Sequence, residues 1–268
     1  MLNWSQQRRV WRLWCCSRGV VVRRSRDRFI TRADGIETRH SFSFGAHYDA
    51  ANMSFGCLIA HNDEHLQPGK GYPMHPHRGV EIVTWMVSGA LVHEDSTGFR
   101  AIAGPGEVLC VSAGRGVEHS EIASPAASVT TRFVQMWLSS APAEKDQRPT
   151  TSRAVVGKRL HPGIPLVVAS GRVARGTNDA RRTDDALRLA QPSATLHALR
   201  LRPSEQVELP SAPLIHVFVV SGNATVKPGS GSNALLQDGD AAHLTSLPIS
   251  AVKGQSDTDI LVWEMHSI

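Results

Sequence analysis

Two pairs of side chains in this sequence have the types and spacing of metal ligands: His75 with His77, and His119 with Glu121. Successive side chains of an extended strand point to opposite faces, so both members of each pair would lie on one side. A single His-x-His pair also fits a surface turn. Two pairs roughly forty residues apart, joined by alternating apolar segments and glycine turns, would converge inside a β-barrel. We therefore predict a metal site.

Three imidazoles and one carboxylate suggest the chemistry of such a site. With Fe(II) they would give a centre of net charge about +1, with one or two positions left for water, substrate or dioxygen. A redox metal with open positions favours dioxygenase chemistry. The same ligands suit Zn, Mn, Ni, Cu or Co, so they predict one mononuclear divalent metal without fixing the element. A histidine that binds a metal through one ring nitrogen usually donates the N–H of the other to an acceptor. Candidate acceptors here are Glu81, Asp95 and Glu118.

The chain around these residues has the pattern of a β protein. Alternating apolar and polar residues, interrupted by glycine and proline turns, predict strands at residues 80–87, between the ligand pairs, and at residues 130–138. Residues 139–162 contain three prolines among polar residues and are typical of a connection. We predict an all-β fold with an N-terminal metal-binding barrel over residues 21–140, a linker over 141–165 and a C-terminal barrel over 166–268.

Two short glycine motifs recur at a constant distance along the chain. The Val-Ser-Gly motif that ends at Gly89 recurs at Gly222, and a Gly-acid turn at Gly106 recurs at Gly239. Both pairs are offset by 133 positions, which indicates a duplicated β unit. Because the second half contains no His-x-His pair, we predict that the C-terminal barrel is metal-free and has a structural role.

Positive charge is concentrated at the N-terminus. The 268-residue chain carries a net charge of +5, but residues 1–28 hold eight arginines and one acid, which give +7 there. The remaining 240 residues therefore carry −2, a balance that does not favour a nucleic-acid groove or a membrane-binding surface. Residues 1–20 contain no acid and no cleavage-site pattern, so we predict a disordered basic extension.

The cysteines and the apolar runs indicate a compartment. Cys15 and Cys16 are adjacent and make a poor disulfide pair, while Cys57 and Cys110 lie in predicted strands, where buried free thiols are usual. No apolar run approaches the roughly 18 residues that a transmembrane helix needs. These features predict a cytoplasmic protein without a membrane span.

The ligand segment resembles a known family. Its glycine, five residues and His-x-His, from Gly69 to His77, match the first cupin motif. The longer strings HPHRGVEIVTW from His75, GALVHEDS from Gly89 and AGRGVEHSE from Ala113 resemble the signature of the pirins, a family within the bicupins. The string RHSFSFG, which starts at Arg39, is similar to bacterial members. The similarity is strong over residues 21–137 and looser in the C-terminal half.

The resemblance implies a bicupin, with two antiparallel jelly-roll β-barrels in one chain. It also implies that the four candidate ligands hold one Fe(II) ion and that Glu81, a ligand position in other cupins, is not used. The residues themselves leave Glu81 open, because its side chain faces the ligands only if Gly79 does not break the strand. Many pirins have Gln in the strand before Ala113, whereas residues 108–111 here are Val-Leu-Cys-Val, a change in the barrel wall.

The resemblance also implies a function. Pirins are associated with quercetin 2,3-dioxygenase activity, in which the flavonol 3-hydroxyl loses a proton, dioxygen attacks the activated ring, and the ring opens with loss of carbon monoxide. Glu121 would be the general base as well as a ligand, and the substrates would be an aromatic small molecule and dioxygen. The alternative is an iron-dependent regulatory protein that binds transcription regulators or metabolic enzymes. We expect a monomer, because a bicupin packs its two barrels within one chain.

Overall fold

The computed structural model describes residues 19–172 and 186–266. The predicted N-terminal extension lies almost wholly outside these residues and stays a prediction. Within them the secondary structure is almost entirely β, which confirms the predicted class. Helix is limited there to three single 3₁₀ turns, and no helix in the described ranges is long and apolar enough to cross a membrane.

The strands are numbered in chain order. The first twelve are β1 (Gly19–Arg23), β2 (Phe29–Ala33), β3 (Ile36–His40), β4 (Leu58–Leu66), β5 (Gly71–His77), β6 (Val80–Ser88), β7 (Leu91–Asp95), β8 (Arg100–Ala103), β9 (Glu107–Ser112), β10 (Val117–Ala123), β11 (Thr131–Ser139) and β12 (Thr150–Val155). The other ten are β13 (Leu166–Ser170), β14 (Leu187–Arg188), β15 (Ala194–Leu201), β16 (Gln206–Glu208), β17 (Leu214–Ser221), β18 (Asn223–Lys227), β19 (Ala234–Gln237), β20 (Ala241–Thr245), β21 (Ala251–Gly254) and β22 (Thr258–Met265).

Each half of the chain builds one large and one small sheet. The N-terminal large sheet has the order β12-β9-β6-β11-β4-β3-β2, and its small sheet the order β5-β10-β7-β8. The C-terminal large sheet has the order β1-β20-β17-β22-β15-β13-β14, and its small sheet the order β16-β21-β18-β19. Neighbouring strands are antiparallel except β13 and β14. This arrangement is the predicted bicupin.

The duplication predicted from the glycine motifs is present in the strand register. In the β6–β9 pair Trp85 lies opposite Val108, and 133 positions later Phe218 lies opposite Ala241 in the β17–β20 pair. The glycine turns before β9 and β20 both have a φ of +77°. The two halves therefore share one topology with the offset that the sequence indicated.

Two strands correct the predicted boundaries. β1 pairs with β20 of the C-terminal large sheet, although its first two residues were expected in the disordered extension and its last three in the N-terminal barrel. β12, which falls inside the predicted linker of residues 141–165, pairs with β9 of the N-terminal large sheet. Each of these strands covers a sheet edge whose backbone N–H and C=O groups would otherwise be unpaired. Each half of the structure therefore includes one strand from outside the residue range predicted for it.

The two large sheets pack face to face and form an apolar layer between the halves. Trp85, Met136 and Trp263 belong to this layer, and the indole N–H of Trp263 donates to the sulfur of Met136 at 3.1 Å across it. Because side chains alternate along a strand, the neighbours of these residues face the barrel interiors. The interior of the N-terminal barrel contains polar side chains such as Gln135, which line a cavity.

Candidate metal centre

The pairing of β5 with β10 brings the predicted histidines together. His75 lies opposite His119 in this ladder, and alternation places His77 on the same face of β5 as His75. The Nε2 atoms of His75 and His119 are 3.2 Å apart. One possible ligand atom from each of the three rings lies within 4.8 Å of the other two. Such a group can bind one metal ion.

Glu121 lies on the same strand beyond an irregularity in the ladder. The register with β5 shifts between His119 and Glu121, so that Glu121 lies opposite Tyr72. Its carboxylate forms a second group with His119 and His93, whose ligand atoms are again within 4.8 Å of one another. The four predicted ligands therefore lie in one site as two overlapping groups that share His119.

His93 is a member of this site that sequence reasoning missed. It lies opposite Glu121 in the β7–β10 ladder, and its buried ring is centred 5.2 Å from that of His119. Its Nε2 lies 3.4 Å from Oδ2 of Asp95, whereas its Nδ1 is buried without a partner in the described part of the chain. The spacing His-x-Asp was a possible signal, because it puts both side chains on one face of β7.

The predicted acceptors Asp95 and Glu118 have different places. Asp95 is buried, contacts His93, and accepts hydrogen bonds from the backbone N–H and the hydroxyl of Thr97. A carboxylate held in this way can fix the orientation of an imidazole beside a metal. Glu118 is exposed, because it alternates along β10 with the inward-facing His119. The prediction for Glu118 therefore does not fit the structure.

Glu81 also lies away from the histidines. Gly79, with a φ of +66°, separates β5 from β6 and breaks the regular alternation after His77. The Glu81 carboxylate is buried near the interface between the halves, where Oε2 accepts hydrogen bonds from Ser112 at 2.6 Å and from the backbone N–H of Ala190 at 2.9 Å. Neither the ligand role nor the acceptor role considered for Glu81 fits this position.

Burial keeps the histidines in the form that binds a metal. It lowers the pKa of His77 to about 4 and that of His119 to about 3, and the neighbouring imidazoles lower both further. Nδ1 of His75 lies 2.7 Å from the carbonyl oxygen of Pro73 and donates to it, which leaves the Nε2 lone pair free. Nε2 of His77 is buried and has no hydrogen-bond partner among the described residues. These lone pairs fit a divalent cation.

Three of the four candidate ligands, His75, His77 and Glu121, border a cavity of about 360 Å³ in the N-terminal barrel. One wall is aromatic: the ring of Trp137 is centred 4.8 Å from that of His77 and 5.3 Å from that of Phe44. The other lining residues include both polar and small side chains. They are Thr31, Thr38, His40, Gly45, Ala46, Asn62, Glu64, Tyr72, His75, Glu121 and Gln135.

A buried carboxyl group lies at the polar side of this cavity. Oε2 of Glu64 accepts hydrogen bonds from the hydroxyls of Thr38 at 2.6 Å and Tyr72 at 2.7 Å. Burial raises the pKa of Glu64 to about 7, with a smaller contribution from the charge of Glu121. Glu64 can therefore hold or release a proton near neutral pH. Sequence reasoning missed it, because nothing in the pattern of β4 shows that this strand borders the cavity.

One pair of matching positions in the C-terminal barrel carries aliphatic side chains. His93 shifted by 133 positions is Val226, and the partner of Val226 in the β18–β21 ladder is Val252, where His93 has Glu121 in the β7–β10 ladder. Both valines are fully buried in a cluster of aliphatic side chains. These two positions of the described C-terminal barrel therefore offer no metal ligand.

Comparisons with known proteins agree with this description. The family model of the pirins matches residues 21–138. A protein of Mycobacterium tuberculosis, whose name gives quercetin 2,3-dioxygenase as a provisional activity, is 38% identical over 248 residues, which cover 92% of this chain and 96% of that protein. The quercetin 2,3-dioxygenase of Escherichia coli K12 is 28% identical over 254 residues, which cover 93% of this chain and 100% of that protein.

Solved structures show the same fold. A bacterial pirin from Escherichia coli, solved in complex with nickel(II), superposes with a TM-score of 0.80 at 24% identity, covering 93% of this chain and 100% of that one. A quercetin 2,3-dioxygenase from Acinetobacter baumannii superposes with a TM-score of 0.72 at 20% identity, covering 92% of this chain and 86% of that one. With the 38% identity to the mycobacterial protein over nearly the full length of both, this chain belongs to the pirin family.

Proposed function

We propose that this chain is a metal-dependent dioxygenase that opens the ring of a flavonol such as quercetin with dioxygen, and that its metal is Fe(II). The observation that carries the proposal is the convergence of three histidines and Glu121 beside a cavity with an aromatic wall. The dioxygenase names of several relatives support the reaction class.

In this proposal His75, His77, His119 and Glu121 hold the metal. Fe(II), when bound, would supply the Lewis acidity and the electron transfer that a reaction of dioxygen with a closed-shell substrate requires. The aromatic wall formed by Phe44 and Trp137 would hold the flat ring system of the flavonol. Displacement of water by the ring would strengthen polar interactions inside the barrel.

Glu121 is the proposed base for the flavonol hydroxyl. Its Oε2 accepts a hydrogen bond from Nε2 of Gln135 at 2.7 Å, which leaves Oε1 to meet the metal or to take the proton. Glu64 and Tyr72 border the same cavity and would hydrogen-bond to other substrate hydroxyls. The chain thus provides one fixed carboxylate for the proton and a polar region for orientation.

Turnover of quercetin tests the proposal directly. The protein is loaded with Fe(II) without oxygen, air and quercetin are admitted, and loss of flavonol absorbance is followed together with carbon monoxide. We expect His77→Ala and Glu121→Gln to abolish both signals, and His161→Ala, at an exposed histidine, to retain them. An iron-loaded wild type that leaves flavonols unchanged would reject the enzyme and favour the regulatory alternative.

A further inference from the structure

A second group of histidines is buried between the two large sheets. His61 on β4 faces His216 on β17 across this layer, with ring centroids 4.8 Å apart. His243 on β20 lies beside His216 in the same sheet, with ring centroids 5.1 Å apart. His61 and His216 are 0% exposed and His243 is 7% exposed. This group is on the opposite face of β4 from Asn62, which lines the cavity of the candidate metal centre.

Arg28 extends this group with a positive charge. It lies immediately before β2, where the chain crosses from the C-terminal to the N-terminal large sheet, and is only 9% exposed. Its guanidinium carbon is 4.9 Å from the centroid of the Phe218 ring, and the His61 ring is 4.4 Å from the same ring. Burial lowers the pKa of Arg28 to about 10, so the side chain keeps its charge at neutral pH.

Several polar atoms of this group lack a hydrogen-bond partner. Within the described residues, the buried nitrogens without a partner here are Nη1 and Nη2 of Arg28, Nε2 of His61, both ring nitrogens of His216 and Nε2 of His243. Buried polar groups in native proteins are almost always hydrogen-bonded, and leaving one unpaired is costly. The two Nη groups of Arg28 are donors, and each neutral imidazole can donate from only one ring nitrogen. These N–H groups beside a buried positive charge indicate a bound species that accepts hydrogen bonds.

The neighbouring acids do not pair with Arg28. Asp63 binds Arg132 with both oxygens, at 2.9 Å each. Asp240 binds the guanidinium of Arg24 and the backbone N–H of Ser25, at 2.7 Å each. The charge of Arg28 is therefore buried beside an aromatic ring without a carboxylate of its own, a situation that normally requires a counter-ion.

From this imbalance we infer that the interface between the large sheets binds one small monovalent anion of the halide class, paired with Arg28 and hydrogen-bonded by the histidines. A cation is disfavoured, because the guanidinium would repel it. The three histidines are also absent from the groups of described residues whose ligand atoms lie within 4.8 Å of one another.

The surroundings favour a weakly hydrated anion. Phe55 stacks on His243 with ring centroids 4.3 Å apart, and Phe42 lies 5.7 Å from the same histidine. These apolar rings surround His243 and would disfavour an anion that keeps a tightly held hydration shell. The anion would connect β2 and β4 of one half with β17 and β20 of the other, and so stabilise their association.

Halide-dependent stability tests this inference. Thermal unfolding of the full chain is followed while potassium bromide replaces potassium gluconate at constant ionic strength, which separates specific binding from screening. We expect the Tm of the wild type to rise with bromide and the apparent bromide affinity of Arg28→Met to be about tenfold weaker or more. Arg26→Met changes an exposed arginine of the same turn and should respond like the wild type. Equal bromide responses in wild type and Arg28→Met would overturn the inference.

A second measurement applies if Arg28→Met does not fold. Crystals of the wild type grown with bromide should give an anomalous peak within hydrogen-bond distance of Arg28 and His216. His216→Phe removes two of the unpaired nitrogens while keeping an aromatic ring, and should lower the bromide response without preventing folding. Ordered water alone at this position, or bromide only at surface sites, would reject the anion site.

Discussion

The indole N–H of Trp137 donates a hydrogen bond to Oε1 of Gln135 at 3.0 Å. This bond orients the Gln135 amide so that its Nε2 meets Oε2 of Glu121 at 2.7 Å. Trp137 also packs against His77, with ring centroids 4.8 Å apart. One aromatic side chain of β11 thus contacts a candidate ligand directly and fixes the carboxylate of another through an amide.

The first prediction concerns this amide. Gln135→Met keeps the size of the side chain but removes the donor that holds Glu121. We expect kcat for the flavonol to fall about ten- to a hundredfold, the usual effect of losing a partner of a metal ligand, while the metal content stays near that of the wild type. Steady-state kinetics and metal analysis measure both. Gln255→Met, at an exposed glutamine of the C-terminal half, is the matched control, and an unchanged kcat in Gln135→Met would contradict the role.

The three candidate histidines were predictable because their signal is local, whereas the choice of Glu121 over Glu81 as the fourth ligand rested on the family resemblance. The spacing of two residues within β5 and within β10 fixes a shared face whatever the rest of the fold does. Gln135, His93 and Glu64 lie on β11, β7 and β4, and only the register of those strands places them beside the ligands. A single sequence does not contain that register.

The fold shows the same limit. The duplication was predictable, because the glycine turns at Gly89 and Gly222 need a positive φ that few other residues adopt. The sheets that β1 and β12 join were not predictable. A strand pairs with a sheet edge through backbone N–H and C=O groups, which carry no sequence signal. Side-chain patterns predicted strands in both halves but not which edge a terminal strand would cover.

The second prediction concerns His93. Because His93 forms a group with His119 and Glu121, and its buried Nδ1 has no partner among the described residues, we expect His93→Gln to weaken nickel or iron binding about ten- to a hundredfold. Competition with a coloured chelator measures the dissociation constant. Glu118→Gln alters an exposed neighbour of His119 and should leave it unchanged. Equal affinities for the wild type and His93→Gln would show that His93 has no part in the metal site.

The third prediction concerns the buried carboxyl of Glu64 in the metal-free protein. Burial raises its pKa in the folded state from 4.5 to about 7. Below pH 4.5 both states hold the proton, and between pH 4.5 and about 7 only the folded state keeps it. Release of this proton on unfolding favours the unfolded state. Glu64 therefore lowers the free energy of unfolding as the pH rises through this range.

Glu64→Gln should remove this pH dependence. Relative to the wild type, the variant should gain free energy of unfolding between pH 4.5 and pH 7.5, as measured by urea titration at each pH. Glu208→Gln, at an exposed position of β16, should follow the wild type across the range. A difference between Glu64→Gln and wild type that is constant with pH would mean that Glu64 titrates normally in the folded protein.

The fourth prediction concerns the turn of the duplicated unit in the C-terminal half. Gly222 has a φ of +84°, and a Cβ added there would lie 2.2 Å from the backbone oxygen of Asp257. Gly98 has a similar φ of +88° but open space around it. An alanine at Gly98 therefore measures the cost of the backbone strain without a steric clash. Both alanine variants carry the strain of about 1–2 kcal/mol that a left-handed residue costs. The backbone must move only in Gly222→Ala, so we expect its free energy of unfolding in urea to be lower than that of Gly98→Ala by about 2 kcal/mol or more. Equal losses of unfolding free energy in the two variants would show that the β17–β18 turn accommodates a side chain.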